Sequence, residues 1–299
     1  MIDEKRIFSG GLVVIPDGWQ WNEAEIESND QLNEGVLTLM VIGNDVVPVL
    51  IGTAFFVSAD GYKGTAISAA HCFEHIKNVL YPNKPHHPTT PLEFLPPPTE
   101  VDLRQVKAVY IKDAQVHVCS IEIAVWDSET DLAVLTVLAP TDQPELFRAF
   151  FWIDDKIPSA GEQVAMIGVG EMKVHGDIED PRKGRMERRL VVRIGYVEEV
   201  FEEATYLLKS PSVQTSIAIY SGMSGGLVAR FAPPDNIKPF ALISHAPEPQ
   251  PVMDRSISGH SMGSILKAKL TFIEKDRQLV EIEINNIGVG KTDPVNEVE

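Results

Sequence analysis

The chain sets its apolar residues in short runs rich in valine, isoleucine and leucine, and turn residues stop each run. In the first half these runs are Val36–Ile42, Val49–Ser58, Thr65–Ala69, Val106–Ile111, Val116–Val125 and Leu132–Leu138. In the second they are Gln163–Gly168, Leu190–Val200, Tyr206–Lys209, Leu227–Phe231 and Pro239–Ser244. Runs this short read as strands, and Asp60-Gly61 between two of them reads as a turn. His71–Lys77 is expected to form a single helical turn. Leu270–Glu274 and Leu279–Ile284, flanking Lys275-Asp276-Arg277, are expected to form a hairpin. No segment recurs at a fixed period, so a solenoid or propeller does not fit. The fold class expected is all-β.

Other stretches bound the organisation. Prolines at 82, 85, 88, 91, 96, 97 and 98 forbid a helix or central strand there, so 82–98 is expected to be an exposed loop. Arg182-Lys183-Gly184-Arg185, with Arg188 and Arg189, reads as a basic solvated loop that could dock a partner or be clipped. Residues 1–34 read as an N-terminal extension, 35–150 as a first unit and 151–299 as a second. The polar connection 139–160 lies between the units.

Charge and cysteine content narrow the function. The net charge of −17 would repel a nucleic-acid backbone or an anionic membrane, so neither is expected as a partner. No apolar run approaches the ~20 residues of a membrane-spanning helix. Met1–Arg6 lacks the features of a signal peptide, and Cys72 and Cys119 suit a reducing compartment. A cytoplasmic location is expected, with both cysteines as buried small hydrophobes.

Three motifs carry chemistry. In Ser221-Gly222-Met223-Ser224-Gly225-Gly226 a serine sits among glycines. A hydroxyl needs a base to become a nucleophile and needs donors aimed at the oxyanion that its attack creates. The glycines allow a tight turn that points the Gly222 and Ser224 N–H groups at one spot. In Ala66-Ile67-Ser68-Ala69-Ala70-His71-Cys72 a histidine follows a strand and small alanines. In Thr130-Asp131-Leu132-Ala133-Val134-Leu135 an acid opens an apolar strand, where an unpaired charge is costly and a histidine N–H is a suitable partner. Each motif alone is also what an ordinary loop, a structural histidine or a turn aspartate would give. Their order, histidine then aspartate then serine, joins them; subtilisins and α/β-hydrolases order the three differently.

On these residues the chain resembles trypsin-like serine peptidases, and most closely the HtrA/Deg-type branch without its PDZ domain. Gly52-Thr53-Ala54-Phe55-Phe56-Val57-Ser58, Asp60-Gly61-Tyr62 and Ser68-Ala69-Ala70-His71 are similar to that branch's first-barrel signature. Asp131–Leu135 is similar to its aspartate strand, and Gln214–Ile219 leads into Gly222–Gly226 in step with its nucleophile segment. The resemblance covers roughly residues 35–265. It implies two six-stranded antiparallel Greek-key β-barrels with the active site in the cleft between them. It implies a serine endopeptidase with catalytic residues His71, Asp131 and Ser224, an oxyanion hole from Gly222 and Ser224, and no cofactor or metal. It places Ala218 at the base of the primary pocket, which then favours small or aliphatic side chains over lysine or arginine. Polypeptide substrate is expected to add as a strand along Ser244, His245 and Ala246, and Ser244 to hydrogen-bond Asp131. Glu248 or Asp254, reaching into the pocket, would restore a preference for basic residues.

Some positions depart from the pattern. Leu227 stands where the branch usually has proline. The chain after Ser224 is needed to finish the second barrel and leaves no room for a PDZ domain. Met223 cannot pair with a new N-terminal ammonium, so cleavage after Arg6, in Arg6-Ile7-Phe8-Ser9-Gly10-Gly11, is not an activation route. No cysteine stands on Gly52–Ser58 to pair with Cys72, which is therefore expected to be a free thiol.

Two rival functions stand beside this one. His71-Cys72-Phe73-Glu74-His75 fits H-x-x-E-H, the zinc motif of inverzincins, with Glu145 or Glu162 as third ligand, although a β-rich context argues against the stable helix it needs. A trypsin-like fold can also serve as a silent binding or regulatory protein, although such proteins usually lose a triad residue. Gly168-Val169-Gly170 lacks the third glycine of a dinucleotide loop.

Overall fold

The computed structural model describes residues 22–25, 32–42, 48–80, 103–113, 115–148, 150–175, 185–205, 208–231, 237–245, 261–266, 269–273 and 279–283. Two closed barrels account for most of them. The first is built from β2 (Val36–Ile42), β3 (Pro48–Asp60), β4 (Lys63–Ala69), β5 (Val106–Lys112), β6 (Gln115–Asp127) and β7 (Leu132–Leu138). Its order is β2-β3-β4-β7-β6-β5, closed by the antiparallel pairing of β2 with β5. The second uses β8 (Gln163–His175), β9 (Arg185–Phe201), β10 (Ser212–Thr215), β11 (Leu227–Arg230), β12 (Pro239–His245) and β13 (Ser261–Ile265). They run β9-β10-β13-β12-β11-β8, and β8 pairs with β9 to close the ring. Each barrel thus repeats one order, in which the third strand neighbours the sixth and the first neighbours the fourth. In the second ring β9 outruns β10, which pairs only with Val197–Phe201, and so keeps an edge at Val191–Ile194.

Alternation along the strands explains the cores. In β6, Cys119 and Ile121 point inward while Ser120 and Glu122 point to solvent. Phe55, Phe56, Phe73, Tyr110 and Phe147 fill the first barrel and its margin, with Phe56 and Phe147 rings 4.8 Å apart. Other elements lie outside the rings. The short strand β1 (Asn22–Glu25) pairs antiparallel with β9, and β14 (Lys269–Ile273) pairs with β15 (Leu279–Glu283) as the expected hairpin. The helix α1 (Leu32–Gly35) leads directly into β2.

Several local expectations need correction. Leu208 and Lys209 belong to no strand. The Leu208 N–H bonds to Thr205 Oγ1 at 3.0 Å and the Thr205 N–H to the Leu208 carbonyl at 2.7 Å, while Tyr206 and Leu207 lie outside the described residues. The sequence pattern also missed β10 and β13, because their buried residues are largely hydroxyls. Thr215 and Ser261 pair at 3.0 Å, Ser210 and Ser264 pair at 3.2 Å, and Ser264 donates to the Thr130 carbonyl at 2.7 Å. Paired in this way, most of the buried serine and threonine stand in for the expected apolar alternation, while Ser212 Oγ of β10 is buried without a hydrogen-bond partner among the described residues. The helix at His71 is longer than one turn: α2 spans Ala70–Leu80. Arg188 and Arg189 are strand residues of β9 rather than part of a solvated loop. Arg188 crosses to the first barrel, donating to the Val36 carbonyl at 3.1 Å and to Asn33 Oδ1. Residues 82–98 and 182–184 lie outside the described residues.

Candidate active site

Strand β4 delivers His71. Ala69 is its last residue, paired with Leu132 of β7, and α2 begins immediately, so His71 stands in the first helical turn. The buried alanines Ala69 and Ala70 let the neighbouring chain come close. On that neighbour, the turn between β6 and β7 ends at Asp131, whose φ of 54° is left-handed, a conformation that aspartate tolerates better than most residues. The kink points the Asp131 carbonyl at the Ala70 N–H, 3.1 Å away, and its carboxylate at the His71 N–H, 3.0 Å away. The same carboxylate meets His71 Nδ1 at 3.0 Å through Oδ1 and 2.9 Å through Oδ2. From the second barrel, Ser244 Oγ donates to Asp131 Oδ2. Asp131 is only 7% exposed, so these donors offset the cost of burying its charge.

A carboxylate can only accept, so the proton of a neutral His71 sits on Nδ1 and Nε2 carries the lone pair. Burial lowers the His71 pKa, but the hydrogen bond and charge of Asp131, with the charge of Glu74, more than compensate. The group titrates above its usual 6.5.

Ser224 approaches from the second barrel and is held through its backbone. Its carbonyl accepts the Thr53 N–H at 2.7 Å, and Cys72 Sγ lies 3.7 Å from the same oxygen. Ser224 therefore packs against the residue that follows His71. Gly52 permits this, because a Cβ there would stand 2.5 Å from Cys72 Sγ and 2.8 Å from the Ser224 carbonyl. Gly225, at φ +80°, is a second requirement, since a side chain there would collide with the Thr53 carbonyl and Ser68 Oγ. Just before the serine, Ser221–Met223 forms a 3₁₀ turn in which the Met223 N–H bonds to the Tyr220 carbonyl at 2.9 Å. The Gly222 and Ser224 N–H groups belong to this turn or its end.

Thr53 was not singled out by the sequence as a site residue, yet it is central to the contact between barrels. Its hydroxyl donates to the Gly222 carbonyl at 2.8 Å and accepts the Val169 N–H at 2.9 Å. Its own carbonyl accepts Ser68 Oγ at 2.7 Å. A threonine within an apolar strand is the only local sign of this role.

The remaining candidates are distributed as follows. Ala218 lies in the unpaired segment before the 3₁₀ turn, and its carbonyl accepts from Arg193. Ser244 and His245 end β12, where His245 pairs with Met262; the His245 side chain, with Ala246, Glu248 and Asp254, lies outside the described residues. Both cysteines are free and buried. Burial drives the Cys72 thiol pKa well up and pushes Cys119 up to about 12, which keeps both unreactive. For the zinc motif, the eleven residues of α2 remove the objection that no stable helix is present. The objection now rests on use: Glu145 bonds Arg148 at 3.4 Å, Glu162 bonds Arg230 at 2.5 Å, and His71 Nδ1 faces Asp131. The His75 side chain lies outside the described residues.

The family model of the trypsin-like peptidase domain matches residues 52–231. No curated protein matches the sequence. Among solved structures, Deg5 is 13% identical, with a TM-score of 0.44 over 77% of this chain and 83% of its own. The protease Anisep from Arthrobacter nicotinovorans is 9% identical, with a TM-score of 0.48 over 82% of this chain and 93% of its own. A mutant of human heparin binding protein (CAP37) is 11% identical, with a TM-score of 0.48 over 82% and 91%.

Proposed function

The chain belongs to the trypsin-like peptidase family, and from that premise we propose that it is a serine endopeptidase whose triad is His71, Asp131 and Ser224. The observation that carries the proposal is the His71–Asp131 pair at 2.9 Å, which fixes the imidazole tautomer beside the segment that bears Ser224.

In this mechanism Ser224 Oγ attacks the scissile carbonyl while His71 Nε2 takes its proton. The resulting imidazolium is stabilised by the Asp131 carboxylate, which accepts from the His71 N–H, Nδ1–H and Ser244 Oγ. The Gly222 and Ser224 N–H groups, in and at the end of the 3₁₀ turn, are the donors assigned to the oxyanion. His71 then protonates the leaving amine, the C–N bond breaks, and an acyl-enzyme remains. Water enters, gives a proton to His71, and releases the acid and the Ser224 hydroxyl. At the primary pocket, Ala218 presents a methyl group, so small or aliphatic side chains enter without the desolvation cost of a cation. The polypeptide lies along Ser244, His245 and Ala246 as an added strand. Two free thiols suit action in a reducing compartment such as the cytoplasm.

A fluorophosphonate probe tests the proposal. Covalent labelling of the wild type on Ser224, lost in Ser224→Ala, supports it. An unlabelled wild type returns the chain to the class of silent binding proteins on this fold.

A further inference from the structure

Strand β1 is added to β9 outside the closed ring, with Glu23 directly opposite Arg193. Both side chains are buried, at 7% and 2% exposure. Arg193 Nε and Nη2 each lie 2.7 Å from Glu23 Oε2, and Arg189 bonds Glu23 Oε1. The remaining face of the Arg193 guanidinium is turned toward the nucleophile segment. Nη1 donates to the Ala218 carbonyl, and the guanidinium carbon lies 3.9 Å from the centroid of the Tyr220 ring. Tyr220 OH is 3.4 Å from Glu23 Oε1. Tyr220 also caps the 3₁₀ turn before Ser224, and its carbonyl receives the Met223 N–H.

Residues 217–220 belong to no strand, so no ladder of backbone bonds holds them. Core packing and the Ile217 N–H bond to Thr215 Oγ1 help to hold them, and the Arg189 guanidinium lies 5.6 Å from the Tyr220 ring. Of the two guanidiniums, however, the Arg193 group alone reaches both the Ala218 carbonyl and the Tyr220 ring, and it is planar, forked and fixed in direction by Glu23. Elsewhere, apolar pairs of similar volume often replace buried ion pairs with little loss of stability. Such a pair would not hold a carbonyl and a ring in fixed positions.

We infer that Glu23 and Arg193 are positioning residues. Through this ion pair, strand β1 sets the Ala218 carbonyl and the Tyr220 ring, and so fixes the primary pocket and the turn that carries Ser224. This rests on the peptidase reading above. Release of β1 from β9 would then loosen the pocket without touching His71 or Asp131.

The test uses the full chain as wild type, Arg193→Lys, and the double variant E23Q/R193M, which removes both charges of the buried pair and leaves Arg189, one-third exposed, to meet its charge with solvent. Active sites are titrated with a fluorophosphonate, and kcat and KM per titrated site are measured on two peptides that differ only in valine or glycine before the scissile bond. For the double variant we expect kcat/KM on the valine peptide to fall at least tenfold, mostly through KM, and the valine-to-glycine preference to fall at least threefold. Arg193→Lys, whose ammonium cannot engage Glu23 and Ala218 as a fork, is expected to lie between the two. It gives the same comparison should the double variant not fold. A merely structural pair would lower the melting temperature and the titrated fraction but leave KM and the preference per site unchanged, and that result overturns the inference. A wild type that is not labelled sinks the peptidase reading itself, and the inference with it; a labelled wild type with unaltered variants sinks the inference alone.

Discussion

Replacing Thr53 by valine keeps the shape of the side chain and deletes one oxygen. That oxygen donates to the Gly222 carbonyl at 2.8 Å and accepts the Val169 N–H at 2.9 Å, in a region where Thr53 and Val169 are fully buried. Both backbone groups would lose a partner that water cannot replace. Each such loss costs about 1–3 kcal/mol, and the deleted hydroxyl returns part of its own desolvation, so the net cost is roughly 2–4 kcal/mol. For a chain of this size that lowers the Tm by roughly 3–6 °C. The Gly222 carbonyl belongs to the turn that carries Ser224, so kcat should fall about tenfold as the nucleophile is displaced. Thermal unfolding followed by circular dichroism, together with kcat on a peptide substrate, measures both effects. Thr53→Ser keeps the oxygen and should retain most of the stability and rate. A Thr53→Val protein with the Tm and kcat of the wild type would refute the assignment of Thr53 as the latch between barrels. So would a serine variant as impaired as the valine one.

Two further outcomes concern the reacting groups. His71 must be neutral to act as base, and its pKa is raised above 6.5, so kcat/KM should rise with pH through a midpoint above that value; a midpoint at or below 6.5 would show that Asp131 does not hold the proton. The same raised pKa adds stability at low pH that is lost as pH rises through the folded value, and Asp131→Asn should abolish this contribution in stability measured against pH. Profiling cleavage in a denatured proteome should show small or aliphatic residues before the scissile bond, because even a partial desolvation penalty of about 3 kcal/mol disfavours a basic side chain more than a hundredfold. A profile dominated by lysine or arginine would point instead to an acid such as Glu248 or Asp254.

The parts of the site legible in the sequence are those whose chemistry is local. His71 follows its own strand and alanines, Asp131 opens its own strand, and Ser224 sits among its own glycines. The structure brings the first two within hydrogen-bonding distance and packs the third against Cys72. Ser244 is further off in the chain and reaches the same carboxylate. Thr53, Glu23 and Arg193 were missed because their roles exist only across the fold; Glu23 and Arg193 stand in different elements that become neighbours when β1 joins β9. A signal was nonetheless present. Arg193 interrupts Val191-Val192 and Ile194, and a charge inside an apolar strand calls for a buried partner. Strands β10 and β13 were hidden for the opposite reason, since paired hydroxyls occupy positions where the alternation pattern looks for apolar side chains.

The central claim is that Ser224 is the nucleophile and His71 its base. Intact-mass and peptide mass spectrometry after fluorophosphonate treatment, run beside peptide cleavage for wild type, Ser224→Ala and His71→Ala, addresses it most directly. The wild type should carry a single adduct on Ser224, and either substitution should lower kcat by several orders of magnitude, roughly 10⁴-fold or more. An adduct on another residue, or a Ser224→Ala protein that cleaves at the wild-type rate, would contradict the claim.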